Sequence, residues 1–203
     1  MRSVIRVLIF GALLNVAQTV SAGPYEDGLA AYQRGDYTVA LKLWRPLAEQ
    51  GNASIQADLG QMYELGWGVT RDAKEAVRWY RLSAEQGNAH GQMGLGGMYY
   101  NGQGVLQEYK EAVKWYRKAA EQGHEFAQEI LGLMYDRGAG VAQDYVRAHM
   151  WLNLAVTSMS GWSAKTATEN RNRIATKMTP VQIERAQAMA RKCERSKFKD
   201  CGG

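Results

Sequence analysis

Shifted against itself by 36 residues, the sequence repeats. LGQMYELGWGV (59–69), LGGMYYNGQGV (95–105) and LGLMYDRGAGV (131–141) align without a gap. A second block follows each one: DAKEAVRWYRLSAEQGN (72–88), EYKEAVKWYRKAAEQGH (108–124) and DYVRAHMWLNLAV (144–156). Upstream, DYTVALKLWRPLAEQGN (36–52) is a degenerate copy of 72–88 at the same offset. A fixed period in the thirties constrains the fold more than any motif inside it. Each copy is one supersecondary unit, able to bury its apolar face only against its neighbours. The period therefore predicts a stacked array of helix pairs.

Within a copy, the first block reads as a helix, because Gln56, Leu59, Gly60 and Tyr63 fall on one face at i, i+3, i+4 and i+7. Ala76, Trp79, Tyr80 and Ala84 do the same in the second block. Asp72 is placed to cap that second helix, and Gly87 to close it in the left-handed conformation.

Five glycines in GLGGMYYNGQGV (94–105) raise the question of a phosphate-binding loop. Such a loop follows a strand, opens one helix, and is followed by Lys and Ser or Thr. Here it occurs three times, with no strand pattern before it and no Gly-Lys-Ser after it. Gly102 and Gly104 instead supply the turn between two helices. Gly96, repeated as Gly60 and Gly132, sits mid-helix, where glycine weakens a helix by roughly 1 kcal/mol relative to alanine. That loss is tolerated where a bulky partner must approach, and Trp115 is the expected occupant.

The repeated pattern A-x-x-x-L-G-x-M-Y-x-x-G-x-G-V-x-x-D-x-x-x-A-x-x-W-Y-x-x-A-A-E-Q-G resembles the Sel-one-like repeat family, relatives of the tetratricopeptide repeats, over about residues 24–156. The resemblance implies an all-α fold, a right-handed α/α superhelix of antiparallel helix pairs, whose members mostly assemble other proteins. Some bacterial relatives carry a disulfide in every repeat, and penicillin-binding or β-lactamase activity has been attributed to that branch. This sequence departs from them, since its repeats contain no cysteine. The expected organisation is a degenerate copy at 23–52, repeats at 53–88, 89–124 and 125–160, and C-terminal capping helices with a basic tail at 161–203.

Residues 1–22 read as a secretory signal peptide: Arg2 and Arg6 in front, an apolar run from Val7 to Leu14, and Val20-Ser21-Ala22 as a small-residue cleavage site. The run is too short to cross a bilayer; a retained anchor is the alternative. The expectation is a periplasmic protein starting near Gly23.

Residues 157–163 (TSMSGWS) read as a loop, followed by a polar helix over 163–178. Thr179-Pro180-Val181-Gln182 then opens a last helix to about Cys193, in part burying Val181, Ile183, Ala186, Met189 and Ala190. Residues 163–203 hold ten Lys and Arg against four Asp and Glu. This is either a solvated helix end or a patch for an anionic partner; without stacked aromatics it makes a poor nucleic-acid site. Cys193 and Cys201 are the only cysteines. In an oxidising compartment an intramolecular disulfide is favoured over two free thiols or an intermolecular bridge.

The three histidines, His90, His124 and His149, stand in no metal-ligand spacing. The Ser-x-x-Lys and nucleophile-elbow patterns are absent. Glu49, Glu85 and Glu121 recur with the array, so they read as helix-end structure. Trp79, Trp115 and Trp151 recur at a packing position, whereas Trp67 and Trp162 have no counterparts and suit surface contacts or satellite packing equally. No cofactor or catalytic residue is expected.

One signal remains. Gln, Leu, Gly, Met and Tyr are fixed on every first helix, while Ser54/His90/Phe126, Asp58/Gly94/Ile130, Gln61/Gly97/Leu133 and Leu65/Asn101/Arg137 diverge. They form one stripe per helix, and first helices line the concave surface of such arrays. Ser54, Asp58, Gln61, Leu65, His90, Asn101, Phe126 and Arg137 are therefore the candidate partner-binding residues, for a protein or peptide of the cell envelope. The alternative for the third copy is burial of Phe126, Ile130 and Leu133 against the cap helix. These features favour a non-enzymatic adaptor; the other reading is a cell-wall glycopeptide or β-lactam protein.

Overall fold

The computed structural model describes residues 23–201. The signal-peptide reading of residues 1–22 lies outside them. Among the described residues there are ten α-helices and no strand: α1 (Pro24–Gln33), α2 (Tyr37–Glu49), α3 (Ala53–Leu65), α4 (Ala73–Glu85), α5 (Ala89–Asn101), α6 (Tyr109–Ala120), α7 (Glu125–Arg137), α8 (Tyr145–Ser158), α9 (Gly161–Ala175) and α10 (Pro180–Arg195). The fold is an α/α solenoid. Each second helix packs on the first helix of its own pair and on that of the next, α4 between α3 and α5, α6 between α5 and α7. No described helix is long and apolar enough to cross a membrane.

Local chemistry fixes the helix ends. Asn52 and Asn88 cap α3 and α5, accepting from the backbone N–H of Ile55 at 3.1 Å and Gly91 at 3.0 Å. His124 fills the same place before α7, its Nδ1 accepting from Ala127 at 3.4 Å. Asp72 accepts from Lys74 and Glu75, at 2.9 and 3.1 Å, and so starts α4. Gly66, Gly102 and Gly138 close the first helices in the left-handed conformation, φ 75°, 67° and 67°. Gly104 has a second job: a Cβ there would meet the backbone N of Lys74, on α4 of the preceding pair, at 3.0 Å. The turn glycine therefore also sets the spacing between pairs.

Trp44, Trp79, Trp115 and Trp151 are buried. The occupant of the mid-helix glycine is not the tryptophan, however. A Cβ on Gly96 would lie 2.8 Å from the ring of Tyr116, and one on Gly60 2.6 Å from Tyr80. Consecutive residues on a helix point about 100° apart. Trp115 joins the N-terminal core with Leu95 and Met98, while Tyr116 joins the C-terminal core with Leu131. Adjacent positions on α6 thus join different clusters of the core.

The C-terminal end differs from expectation in two places. The loop over 157–163 shrinks to Met159-Ser160, because α8 extends to Ser158 and α9 begins at Gly161. Val181 is 74% exposed, because it lies off the side of α10 that buries Ala186, Ala190 and Cys193. Both α9 and α10 pack on α8. Thr179 and Gln182 form the capping box of α10. A disulfide joins Cys193 to Cys201, with Cα atoms 4.6 Å apart. It holds the tail where Phe198 rests against Gly123.

Candidate functional site

A cleft of about 330 Å³ crosses the first helices of three successive pairs. Asp58, Gln61 and Glu64 come from α3, His90 and Met93 from α5, and Phe126 from α7, with Tyr80 of α4 beneath them. Of the candidate stripe, Asp58, Gln61, His90 and Phe126 share this cleft. Asn101 and Arg137 line a second cleft of about 260 Å³ with Ile130 and Leu133. Ser54 and Leu65 line neither: Ser54 accepts a 3.4 Å hydrogen bond from Asn88, and Leu65 is 48% exposed at the end of α3. Phe126 stays 43% exposed, so the cap does not cover it. Helix α9 instead meets α7 through Asn170 on Glu129, at 3.3 Å, and through Arg173 on Asp136, which Lys177, just past the end of α9, also pairs with.

The floor of the first cleft is made by glycine. A Cβ on Gly94 would lie 2.7 Å from Tyr80 Cζ, so only a bare backbone lets the ring lie there. From that position the Tyr80 hydroxyl donates to Glu64 Oε2 at 2.7 Å. Burial, then the neighbouring Glu64 carboxylate, pushes the tyrosine pKa far up, so this ring is a permanent donor. Behind the lining, the hydroxyl of Tyr32 donates to Gln61 Oε1 at 3.0 Å. Tyr32 belongs to an aromatic group in which Trp67 stacks on Tyr37 at 4.8 Å, which settles Trp67 as packing. Trp162, by contrast, is 79% exposed on α9.

Asp58 is the unusual charge. Burial pushes its carboxyl up to about 6, with the His90 imidazole partly drawing it back. No donor among the described residues hydrogen-bonds to it. His90 meets His124 edge to face at 5.1 Å, a pairing their spacing in the sequence did not suggest. Burial, then the proximity of His90, holds the His124 pKa below the usual value. Among the described residues no group of three or more His, Cys, Asp or Glu is placed to hold a metal.

The stripe therefore captured part of the cleft and missed Glu64, Tyr80, Met93 and His124. Glu64 carried a readable signal, since its position varies as Glu64/Tyr100/Asp136 in successive copies. Tyr80 and His124 were hidden by repetition, looking like a core residue and a helix cap.

A protein-family model described as the Sel1 repeat matches residues 12–52, 53–88, 89–124 and 126–157. No curated protein matches. Among solved structures, the chain is similar to c5321, a protective antigen of uropathogenic Escherichia coli displaying an SLR fold, at 33% identity and a TM-score of 0.77. That match covers 88% of this chain but only 38% of c5321. A Sel1 repeat protein from Oxalobacter formigenes matches at 29% identity and a TM-score of 0.65, over 83% of this chain and 75% of that one.

Proposed function

The chain belongs to the Sel1 repeat family, typically protein–protein interaction scaffolds, and from that premise we propose that it is a non-enzymatic adaptor of the bacterial cell envelope. It is exported by the signal sequence at 1–22, works in the periplasm, and binds a protein or peptide along the clefts of its first helices. One observation carries this reading. Four of the positions free of the repeat's packing rules, Asp58, Gln61, His90 and Phe126, come from three helices and line one cleft. Residues serving only the stack would have been held to the consensus, as Leu59, Leu95 and Leu131 are. The second helices present another kind of surface, with Arg78 paired to Glu75 at 3.3 Å and lying 4.5 Å from the Trp79 ring.

The test is crosslinking in cells. A photoreactive residue at Gln61 or Phe126 should capture one discrete partner, and the same residue at Lys74 or Lys114 should not. Capture from the second-helix positions alone would place recognition on the other face. Recovery of the protein from the periplasmic fraction checks export; retention in the cytoplasm would contradict it.

A further inference from the structure

The two clefts are one slot seen twice. Moving on by 36 residues, Tyr80 becomes Tyr116, Glu64 becomes Tyr100, and Gly94 and Gly97 become Ile130 and Leu133. The scaffold around the slot is held constant while its chemistry is changed. The first copy is anionic and opened by glycine; the second is walled mostly by aliphatic and aromatic groups, with the Arg137 guanidinium donating to the Tyr100 hydroxyl at 3.4 Å. In the third copy the position of Glu64 is Asp136, and Arg173 and Lys177 of the cap occupy it at 3.0 and 2.8 Å. The protein thus fills one of its own carboxylate positions with basic side chains.

We propose, building on the groove-binding reading above, that the first slot receives a Lys or Arg side chain of an extended peptide and the second an apolar side chain of the same peptide. Among the described residues no Lys or Arg lines the first cleft, yet two carboxylates do, Asp58 and Glu64. Asp58 is partly withdrawn from water with no hydrogen-bond donor among the described residues, a situation that a cation in the cleft relieves. The walls suit the rest of such a side chain, since Met93 and Phe126 line the cleft and can flank the alkyl stem. In the second slot Ile130 and Leu133 replace bare backbone with aliphatic surface, and Tyr100 replaces the carboxylate. That exchange, with Arg137 alongside, disfavours a basic group and leaves the aliphatic walls to hold an apolar one.

The experiment uses the purified protein, immobilised, and a library of acetylated, C-terminally amidated decapeptides randomised at every position. The retained pool should be enriched in Lys or Arg together with Leu, Ile, Met or Phe. Asp58→Asn combined with Glu64→Gln should abolish the basic preference, keep the apolar one, and weaken a selected peptide about tenfold or more, as expected for loss of charge-assisted contacts. Leu133→Asn should do the reverse. A retained pool that is acidic or neutral overturns the slot assignment and leaves groove binding standing. No retained peptide at all overturns both. A basic preference unchanged in the folded double variant shows that the cation sits elsewhere, and overturns the proposal.

Discussion

The side-chain amide of Gln122 donates to Oε1 of Gln92 at 2.7 Å. One copy earlier, Gln86 makes the same bond to Gln56, also at 2.7 Å. Gln56 and Gln92 in turn donate to the carbonyls of Ala48 and Ala84, at 2.9 and 3.4 Å, on the preceding second helices. The glutamine fixed in every first helix is therefore a buried relay joining three consecutive helices. It ends at Gln128, which donates to Ala120 at 3.2 Å but whose Oε1 has no partner among the described residues, because the position corresponding to Gln122 is Ser158.

The relay predicts unequal costs for one substitution. Gln92→Leu removes two hydrogen bonds, although Gln122 keeps the Gly87 carbonyl at 2.9 Å and Ala84 keeps the Gly87 N–H at 3.0 Å, and should destabilise by about 2 kcal/mol. Gln128→Leu loses one bond, removes an unsatisfied acceptor, and should cost about 1 kcal/mol or less. Denaturant midpoints compare them; equal costs would mean that the relay does not carry the stacking.

Neighbouring glycines on α5 should respond in opposite ways. Gly96→Val drives a branched side chain into the Tyr116 ring and should destabilise by roughly 1–3 kcal/mol. The nearest atom to a Cβ on Gly97 is the Tyr116 hydroxyl, at 3.7 Å. Gly97→Ala should therefore be neutral or raise stability by up to about 1 kcal/mol through helix propensity. A melting temperature unchanged by Gly96→Val would refute the close approach.

Acid should loosen the C-terminal cap. Burial by itself would raise the Asp136 pKa, but hydrogen bonds from Lys177 and Arg173 bring it below the ordinary carboxylate value. A depressed folded-state pKa contributes stability that is present above the unfolded value near 4 and lost as pH falls through the lower folded value. Stability should thus decline as pH falls below about 4 more steeply in the native protein than in Asp136→Asn. Parallel acid-denaturation curves would show that the ion pairs do not fasten α9 to α7.

Asp58 should behave in the opposite sense. Its carboxyl, pushed up to about 6, takes up a proton more readily in the folded state, so stability rises as pH falls from about 6 towards 4. At pH 7, Asp58→Asn removes a desolvated charge and should stabilise by about 1 kcal/mol while weakening a basic peptide. Binding of that peptide should likewise weaken between pH 7 and pH 5. A variant that is both less stable and unimpaired in binding would mark Asp58 as part of the scaffold.

The sequence by itself determined the all-helical array. A period of 36 and two amphipathic blocks per copy leave little choice, because each apolar face must meet the next copy. Caps such as Asp72 and turn glycines such as Gly102 were legible for the same reason: their chemistry is local and acts within a few residues. Tertiary structure alone decided which of two adjacent aromatics faces the glycine, because Trp115 and Tyr116 repeat equally well and differ only by a rotation about the helix. It also decided the site. Asp58, His90 and Phe126 lie more than thirty residues apart in sequence, and stacking brings them into one cleft. Internal repetition distinguishes constant from variable positions, but a cleft between helices also takes constant residues for its floor. Tyr80 and His124 look like scaffold in the sequence because they are scaffold, and only the packing of the pairs turns them towards the groove.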